Sequence, residues 1–337
     1  MSATILSVKD ITPVPPAVLE ALRSAERIAL AGHVTPDADC LGVIGAMQLG
    51  LRQLGKQTAA AMPAGSVSRK LQFMVDLASL HPAHASELAA CDAALIMDTA
   101  KEKRVNIDGK LEALPSARII NVDHHASNTG YGDVQWIEGT RSSSCEMVYE
   151  ILRGLACEIT PEIATLLYAG IHSDTQGFSL SNTTSRALQV AHELAECGAN
   201  VVETCEKLCR SYNASEFALL KVIYANTRIS EDGRLGWSTA DYDEIHSAGC
   251  TAEDIDDQVE VVRSIEGVRV AILFTEGKRG KVRMNFRGDR GLPVLDLAKQ
   301  FGGGGHDMAA GAILDGTVPE VAERVLAAAR EYIPANA

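Results

Sequence analysis

A chain of 337 residues exceeds what one core usually organises and points to two domains, and 46% hydrophobic with only 4% aromatic residues is the composition of a soluble α/β protein. The formal charge of −13 excludes wrapping duplex nucleic acid with the whole surface, so an anionic substrate has to be met locally, by a metal ion or a basic patch. MSATILSVKDITPVPP has no basic leader, and no segment offers about 20 uninterrupted apolar residues, which argues against export and membrane insertion and for a cytoplasmic protein.

The first half reads as repeated strand-then-helix units. RIALAGH (27–33) is followed by the helical DCLGVIGAMQLGLRQLG, then come QTAAAM, CDAALIMD (91–98) and ARIINVDHH (117–125). Short apolar runs separated by helices are what strands buried on both faces of a parallel sheet look like. Ser143 and Glu146 predict a capping box opening the helix SCEMVYEILRGL, and Thr160-Pro161 opens PEIATLLYAGIHSD. Residues 184–228 are almost wholly helical by pattern. From GRLGWSTA onward strands return, with VRVAILFTE, KVRMNFRG and GAILDG, and a helix PEVAERVLAAAREYI closes the chain. The expected division is a parallel-sheet domain over 1–190, a helical connector over 191–228 and a smaller α+β domain over 229–337, with the active site in the cleft between domains.

Cysteines 40, 91, 145, 157, 197, 205, 209 and 250 lack CxxC pairing, which fits reduced thiols better than a disulfide framework or a thiolate zinc site; Cys205 and Cys209 merely share a helix face.

In parallel α/β sheets sites gather outside the carboxyl ends of the strands. Here RIALAG runs into His33, Asp37 and Asp39, DAALIM into Asp98, and RIINV into Asp123, His124 and His125, while Asp174 stands where a helix stops. Each alone reads as a loop start or helix cap. Together they do not: clustered carboxylates repel and call for a cation, and imidazole adds a preference for Mn²⁺ over Mg²⁺. The set is large enough for two divalent ions, and phosphoester hydrolysis is the natural chemistry.

HxxPDxD at 33–39, the strand ending in Asp98, the DHH triplet at 123–125 and GIHSDTQGF resemble, in order, the four motifs of the DHH phosphoesterase superfamily. Ala38 stands where the family commonly has glycine, a small departure. The resemblance implies that His33 and Asp37 hold one ion, that Asp39, His124 and Asp174 hold the other, and that Asp98 bridges them. It also implies that Asp123 orients a ligand while His125 faces the scissile phosphate.

FGGGGHDMAAG (301–311) is no Walker loop, because no GK[ST] follows, and its glycines suit close backbone approach to a ligand. The stretch resembles the GGGH signature of the DHH-associated C-terminal domain. That resemblance makes Gly303, Gly304, Gly305 and His306 candidates for the nucleotide. Upstream, residues 278–290 carry six basic residues against one acid, and alternation puts Lys281, Arg283, Asn285 and Arg287 on one strand face opposite Val282, Met284 and Phe286. Arg283, Asn285 and Arg287 are the expected substrate grip. His81, His84, His172, His192 and His246 stand apart from clustered acids and read as structural or surface histidines.

The two-domain plan resembles the branch of short-oligonucleotide ribonucleases (nanoRNases) and 3′-phosphoadenosine 5′-phosphate phosphatases. The implied substrates are single-stranded oligonucleotides of about two to five nucleotides, the length over which one gripped nucleotide still positions the next phosphate, and the nucleotide bisphosphate. Duplex DNA and membranes are not expected partners, and a homodimer is compatible with this plan. The exonuclease branch needs further domains, and the pyrophosphatases lack the GGGH module; SRK at 68–70 is read as a chance match to their substrate motif. Cyclic-dinucleotide phosphodiesterases, or enzymes acting on their linear products, are the rival enzymatic reading. A non-catalytic nucleic-acid-binding module is the rival of another class, and it gives no reason to keep the whole ligand set.

Overall fold

The computed structural model describes residues 13–62, 67–210, 212–251, 258–289, 291–305 and 307–334, in two compact units, Met1–Ser211 and Tyr212–Ala337. The first unit runs α1 (Pro16–Ser24), β1 (Arg27–Ala31), α2 (Ala38–Gln53), β2 (Gln57–Ala61), α3 (Gln72–Ala78), α4 (Ala85–Ala89), β3 (Ala93–Met97) and β4 (Arg118–Asp123). It continues with β5 (Val134–Ile137), α5 (Ser144–Gly154), α6 (Pro161–Asp174), α7 (Ser185–Glu196) and α8 (Val201–Cys209). The five strands pair in parallel in the order β2-β1-β3-β4-β5. Strand order reverses between β1 and β3, the place where an open α/β sheet leaves a crevice beyond its carboxyl ends.

Alternation along the strands explains the layers. Ile28 and Leu30 of β1, with Leu95 and Met97 of β3, face a large core built on α2, α5, α6 and α7. Ala29, Ala31, Ala94 and Ile96 face a thin layer with Leu88, Val105, Ile107 and Leu114. The larger side chains thus point mostly at α2, α5, α6 and α7, and alanines with Ile96 at the thinner layer, and each fully buried Leu or Ile contributes about 1.5–3 kcal/mol. The helix starts follow local chemistry: Asp37, Ser143 and Thr160 each accept a backbone N–H from the third residue on. One expected detail differs. Glu146 does not close a box on Ser143; its carboxylate instead accepts from the N–H and hydroxyl of Ser142, at 3.0 and 2.7 Å.

The second unit comprises α9 (Ala214–Asn226), β6 (Arg228–Ile229), β7 (Leu235–Ala240), α10 (Tyr242–Ser247), α11 (Val259–Arg263), β8 (Val270–Lys278) and β9 (Lys281–Gly288). After these come α12 (Leu295–Lys299), β10 (Gly304–Gly305), β11 (Ala309–Asp315) and α13 (Val318–Tyr332). Its mixed sheet has the order β10-β11-β9-β8-β7-β6, with only β7 and β8 parallel. Val282, Met284 and Phe286 are fully buried and pack with Val321, Val325 and Ala329 of α13, as the alternation of β9 requires. In the stretch read as a connector, α8 packs on α6 in the first unit and α9 on β7 in the second. No described helix is long and apolar enough to cross a membrane.

Candidate metal centre

The residues singled out in the first unit converge beyond the carboxyl ends of β1, β3 and β4. Asp98 is the pivot. It follows β3 with φ of 52°, in the left-handed region, and is 2% exposed. Its Oδ2 lies 3.3 Å from His33 Nε2, and its Oδ1 lies 3.6 Å from both His124 Nε2 and His125 Nδ1. One carboxylate oxygen therefore faces each side of the cluster.

On the β1 side, Asp37 Oδ2 is 3.6 Å from His33 Nε2 while Asp37 Oδ1 caps α2 by accepting from Cys40 N at 3.0 Å. Burial alone would depress the His33 pKa, but hydrogen bonds and charge from Asp37 and Asp98 carry it up to about 10. Its Nδ1 is buried and has no hydrogen-bond partner among the described residues.

On the other side, His124 Nε2 is 3.2 Å from Asp174 Oδ2 at the end of α6. His124 Nδ1 faces the Arg141 carbonyl at 3.4 Å, an arrangement that leaves Nε2 as the lone pair turned toward the acids. Burial and the neighbouring His125 hold His124 below its ordinary pKa, so it is neutral near pH 7. Asp39 is completely buried, and its two oxygens accept the backbone N–H groups of Ser144 and Cys145, at 2.7 and 2.9 Å, at the start of α5. Burial, with the charges of Asp98 and Asp37, pushes its carboxyl well above the usual range; burial with Asp39 and Asp37 does the same to Asp174. Carboxyls raised by one another, beside imidazole nitrogens, are a donor set that a divalent ion would relieve, and Asp39, His124 and Asp174 each bring an atom within 4.8 Å of the others.

Asp123 and His125 stand apart in role. His125 Nδ1 donates to Asp123 Oδ1 at 2.6 Å, and Asn128 Nδ2 donates to Asp123 Oδ2 at 2.6 Å, so both oxygens of this buried carboxylate are engaged. Burial would lower the His125 pKa, but Asp123 and Asp98 raise it to about 9. His124 is thus a neutral donor and His125 a held cation.

Several contributors escaped the sequence reading. Ser144 Oγ donates to Asp98 Oδ1 at 3.3 Å. Arg141, 2% exposed, binds Glu146 at 2.9 Å and Glu150 at 2.7 Å, fixing the carbonyl that faces His124. Cys40 brings its sulfur to the His33 and Asp98 group. No spacing rule announces these three, because each meets the site only through folding.

In the second unit the glycine run divides. At Gly303 a Cβ would fall 2.3 Å from the Gly311 carbonyl oxygen, and Gly305 has φ of 142° with Ala309 O at 2.5 Å from that position. These two glycines are demanded by β10 pairing with β11. A Cβ at Gly304 would meet nothing within 4 Å, so its backbone is the open one. His306 lies outside the described residues. Arg283 Nε donates to Asn285 Oδ1 at 3.0 Å, and Arg287 Nε to Glu260 Oε1 of α11 at 3.2 Å.

Two family models match the chain: the DHH family, N-terminal domain, over residues 27–171, and the DHHA1 domain over 239–335. The chain belongs to the DHH family of phosphoesterases. It is similar to the bifunctional oligoribonuclease and PAP phosphatase NrnA of Thermus thermophilus, 32% identical over 94% of this chain and 93% of that protein. The Bacillus subtilis protein of the same name is 29% identical over 90% and 93%. Among solved structures, an exopolyphosphatase-related protein from Bacteroides fragilis shares the fold, with a TM-score of 0.87 at 21% identity over 96% of this chain and 98% of that one.

Proposed function

We propose that the chain hydrolyses very short oligonucleotides to mononucleotides and 3′-phosphoadenosine 5′-phosphate to AMP, with two divalent ions, Mn²⁺ before Mg²⁺. The carrying observation is Asp98, whose two oxygens face His33 on one side and His124 on the other. His33 and Asp37 would hold one ion, Asp39, His124 and Asp174 the other, and Asp98 both. Ions held there would supply charge neutralisation of the phosphoryl group and acidify water.

The chain's own residues do the rest. His125, kept protonated by Asp123, presents positive charge to a phosphate oxygen and a proton for the departing one. Asn128 holds Asp123 in place. Arg283, Asn285 and Arg287, with the open backbone at Gly304, are the grip for the nucleotide, and the ring of His306 is expected to join them. The names of the Thermus and Bacillus relatives support this substrate pair over cyclic dinucleotides.

A ladder of 5′-labelled RNAs from two to about twenty nucleotides, assayed with Mn²⁺ beside the nucleotide bisphosphate and a cyclic dinucleotide, tests the reading. Dinucleotides should be cut faster than long strands, and Asp98→Ala should abolish turnover without rescue by excess Mn²⁺. Preference for long strands would move the enzyme to the exonuclease branch, and full activity after thorough chelation would remove the ions.

A further inference from the structure

Cys40 carries a thiol that the proposed mechanism leaves unused. It sits in the first turn of α2, directly after Asp39, and is completely buried. Its sulfur, a ring nitrogen of His33 and a carboxylate oxygen of Asp98 all lie within 4.8 Å of one another. Gly32 makes the room, since a Cβ there would come 2.2 Å from the sulfur. His33, 8% exposed, turns Nε2 to Asp98 Oδ2 at 3.3 Å, and its Nδ1 has no hydrogen-bond partner among the described residues.

We propose that Cys40 is a thiolate ligand of the ion held by His33 and Asp98, and that it makes this position select thiophilic divalent ions, Zn²⁺, Co²⁺ and Cd²⁺, over Mg²⁺. The inference rests on the ion-binding reading above and adds to it a sulfur donor. The mutual donors of this position are one sulfur, one nitrogen and one carboxylate, and Asp37, whose Oδ2 is 3.6 Å from His33 Nε2, stands at its edge. Ligand bonds of about 2.0–2.3 Å around a tetrahedral ion need donor atoms roughly 3.3–3.8 Å apart, and these three donors, within 4.8 Å of one another, would draw together around their guest. On binding, the S–H bond breaks, its proton leaves to solvent, and the sulfur's electron pair forms the bond to the ion; nothing is oxidised or reduced.

The Asp39, His124 and Asp174 group has only oxygen and nitrogen donors. The two positions are therefore chemically unequal: one is soft, the other hard. A pair of ions loaded from a mixture should sort, the thiophilic one to the β1 side and Mn²⁺ or Mg²⁺ to the other.

The test uses the full chain, stripped of ions under reducing conditions and titrated with Co²⁺ alone. A near-ultraviolet sulfur-to-cobalt charge-transfer band should grow to saturation at one ion per chain. It should vanish in Cys40→Ser and Cys40→Ala and persist in Cys209→Ser, which alters an exposed thiol. Competition calorimetry should show Cd²⁺ affinity falling at least about tenfold in Cys40→Ser while Mn²⁺ affinity changes by less than about threefold, the contrast expected of a soft ligand. Saturable Co²⁺ binding and intact hydrolysis without a sulfur band in the unaltered chain would overturn the thiolate ligand and leave the ion centre standing. Equal losses for Cd²⁺ and Mn²⁺ in Cys40→Ser would likewise overturn it. Absence of all ion binding would overturn the centre itself.

Discussion

Gly170 lies within α6, where replacing glycine by alanine ordinarily favours the helix by about 1 kcal/mol. Here the sign should reverse. A Cβ at 170 would stand 2.3 Å from Cys145 Sγ, 2.8 Å from Asp39 Oδ1 and 3.0 Å from Asp39 Cα. Asp39 cannot swing aside cheaply, because both its oxygens are engaged by the N–H groups that start α5. Overpacking of this kind costs about 1–3 kcal/mol, and three simultaneous contacts place it near the top of that range, leaving a net loss of about 2 kcal/mol. In a unit of this size that is a drop of about 4–8 °C in Tm, read by thermal unfolding of the ion-free protein. Cys145→Ala removes the shortest of the three contacts, so Gly170→Ala should cost about 1 kcal/mol less in that background. Stabilisation by Gly170→Ala, or a double-mutant cycle additive within about 0.5 kcal/mol, would refute the packing argument.

Three further outcomes follow from the site. His125→Ala should slow hydrolysis while bound Mn²⁺, measured by elemental analysis, stays near the unaltered level, whereas His124→Ala should lower both; the reverse pattern would exchange their roles. Folding raises His33 to about 10 and His125 to about 9 from 6.5, so the contribution of these two groups to ion-free stability is complete below pH 6.5 and is lost as pH climbs through 9 and 10. The raised carboxyls of Asp39 and Asp174 act in the same direction, and denaturation midpoints across that window, flat or rising with pH, would contradict the charge pattern. Arg287→Ala should weaken hydrolysis of short oligonucleotides by about 1.5–3 kcal/mol in kcat/KM, the worth of a charge-assisted contact, and leave an activated phosphodiester without a nucleotide nearly unaffected. Equal losses on both substrates would mean that Arg287, through Glu260, supports the fold instead.

Local chemistry was the readable part of this chain. The strands beneath the site carry short apolar runs, broken in β4 only by Asn121, and α6 and β9 begin and end where Thr160-Pro161 and the alternation of KVRMNFRG put them. β5 was not read, because VQWI is four residues long and alternates too briefly to show a period. The acids and histidines could be gathered from strand ends alone. What they do to one another could not: Asp39 meets Ser144 across 105 residues, and Cys40 in α2 meets Asp98 only after β2, α3, α4 and β3 have intervened. Glu146 shows the limit of a local rule, since it has the spacing of a capping box yet spends its carboxylate on Ser142 and Arg141.

The left-handed backbone at Asp98 narrows which amino acid can occupy the pivot before any chemistry is asked of it. Most side chains are uncomfortable at φ of 52°, and among those at ease there, glycine, asparagine and aspartate, only aspartate carries negative charge. Glutamate would bring the charge on a longer side chain with less of the local hydrogen bonding that eases this conformation, and asparagine the conformation but not the charge. The shape of the turn after β3 and the charge at the centre of the site thus favour the same residue independently.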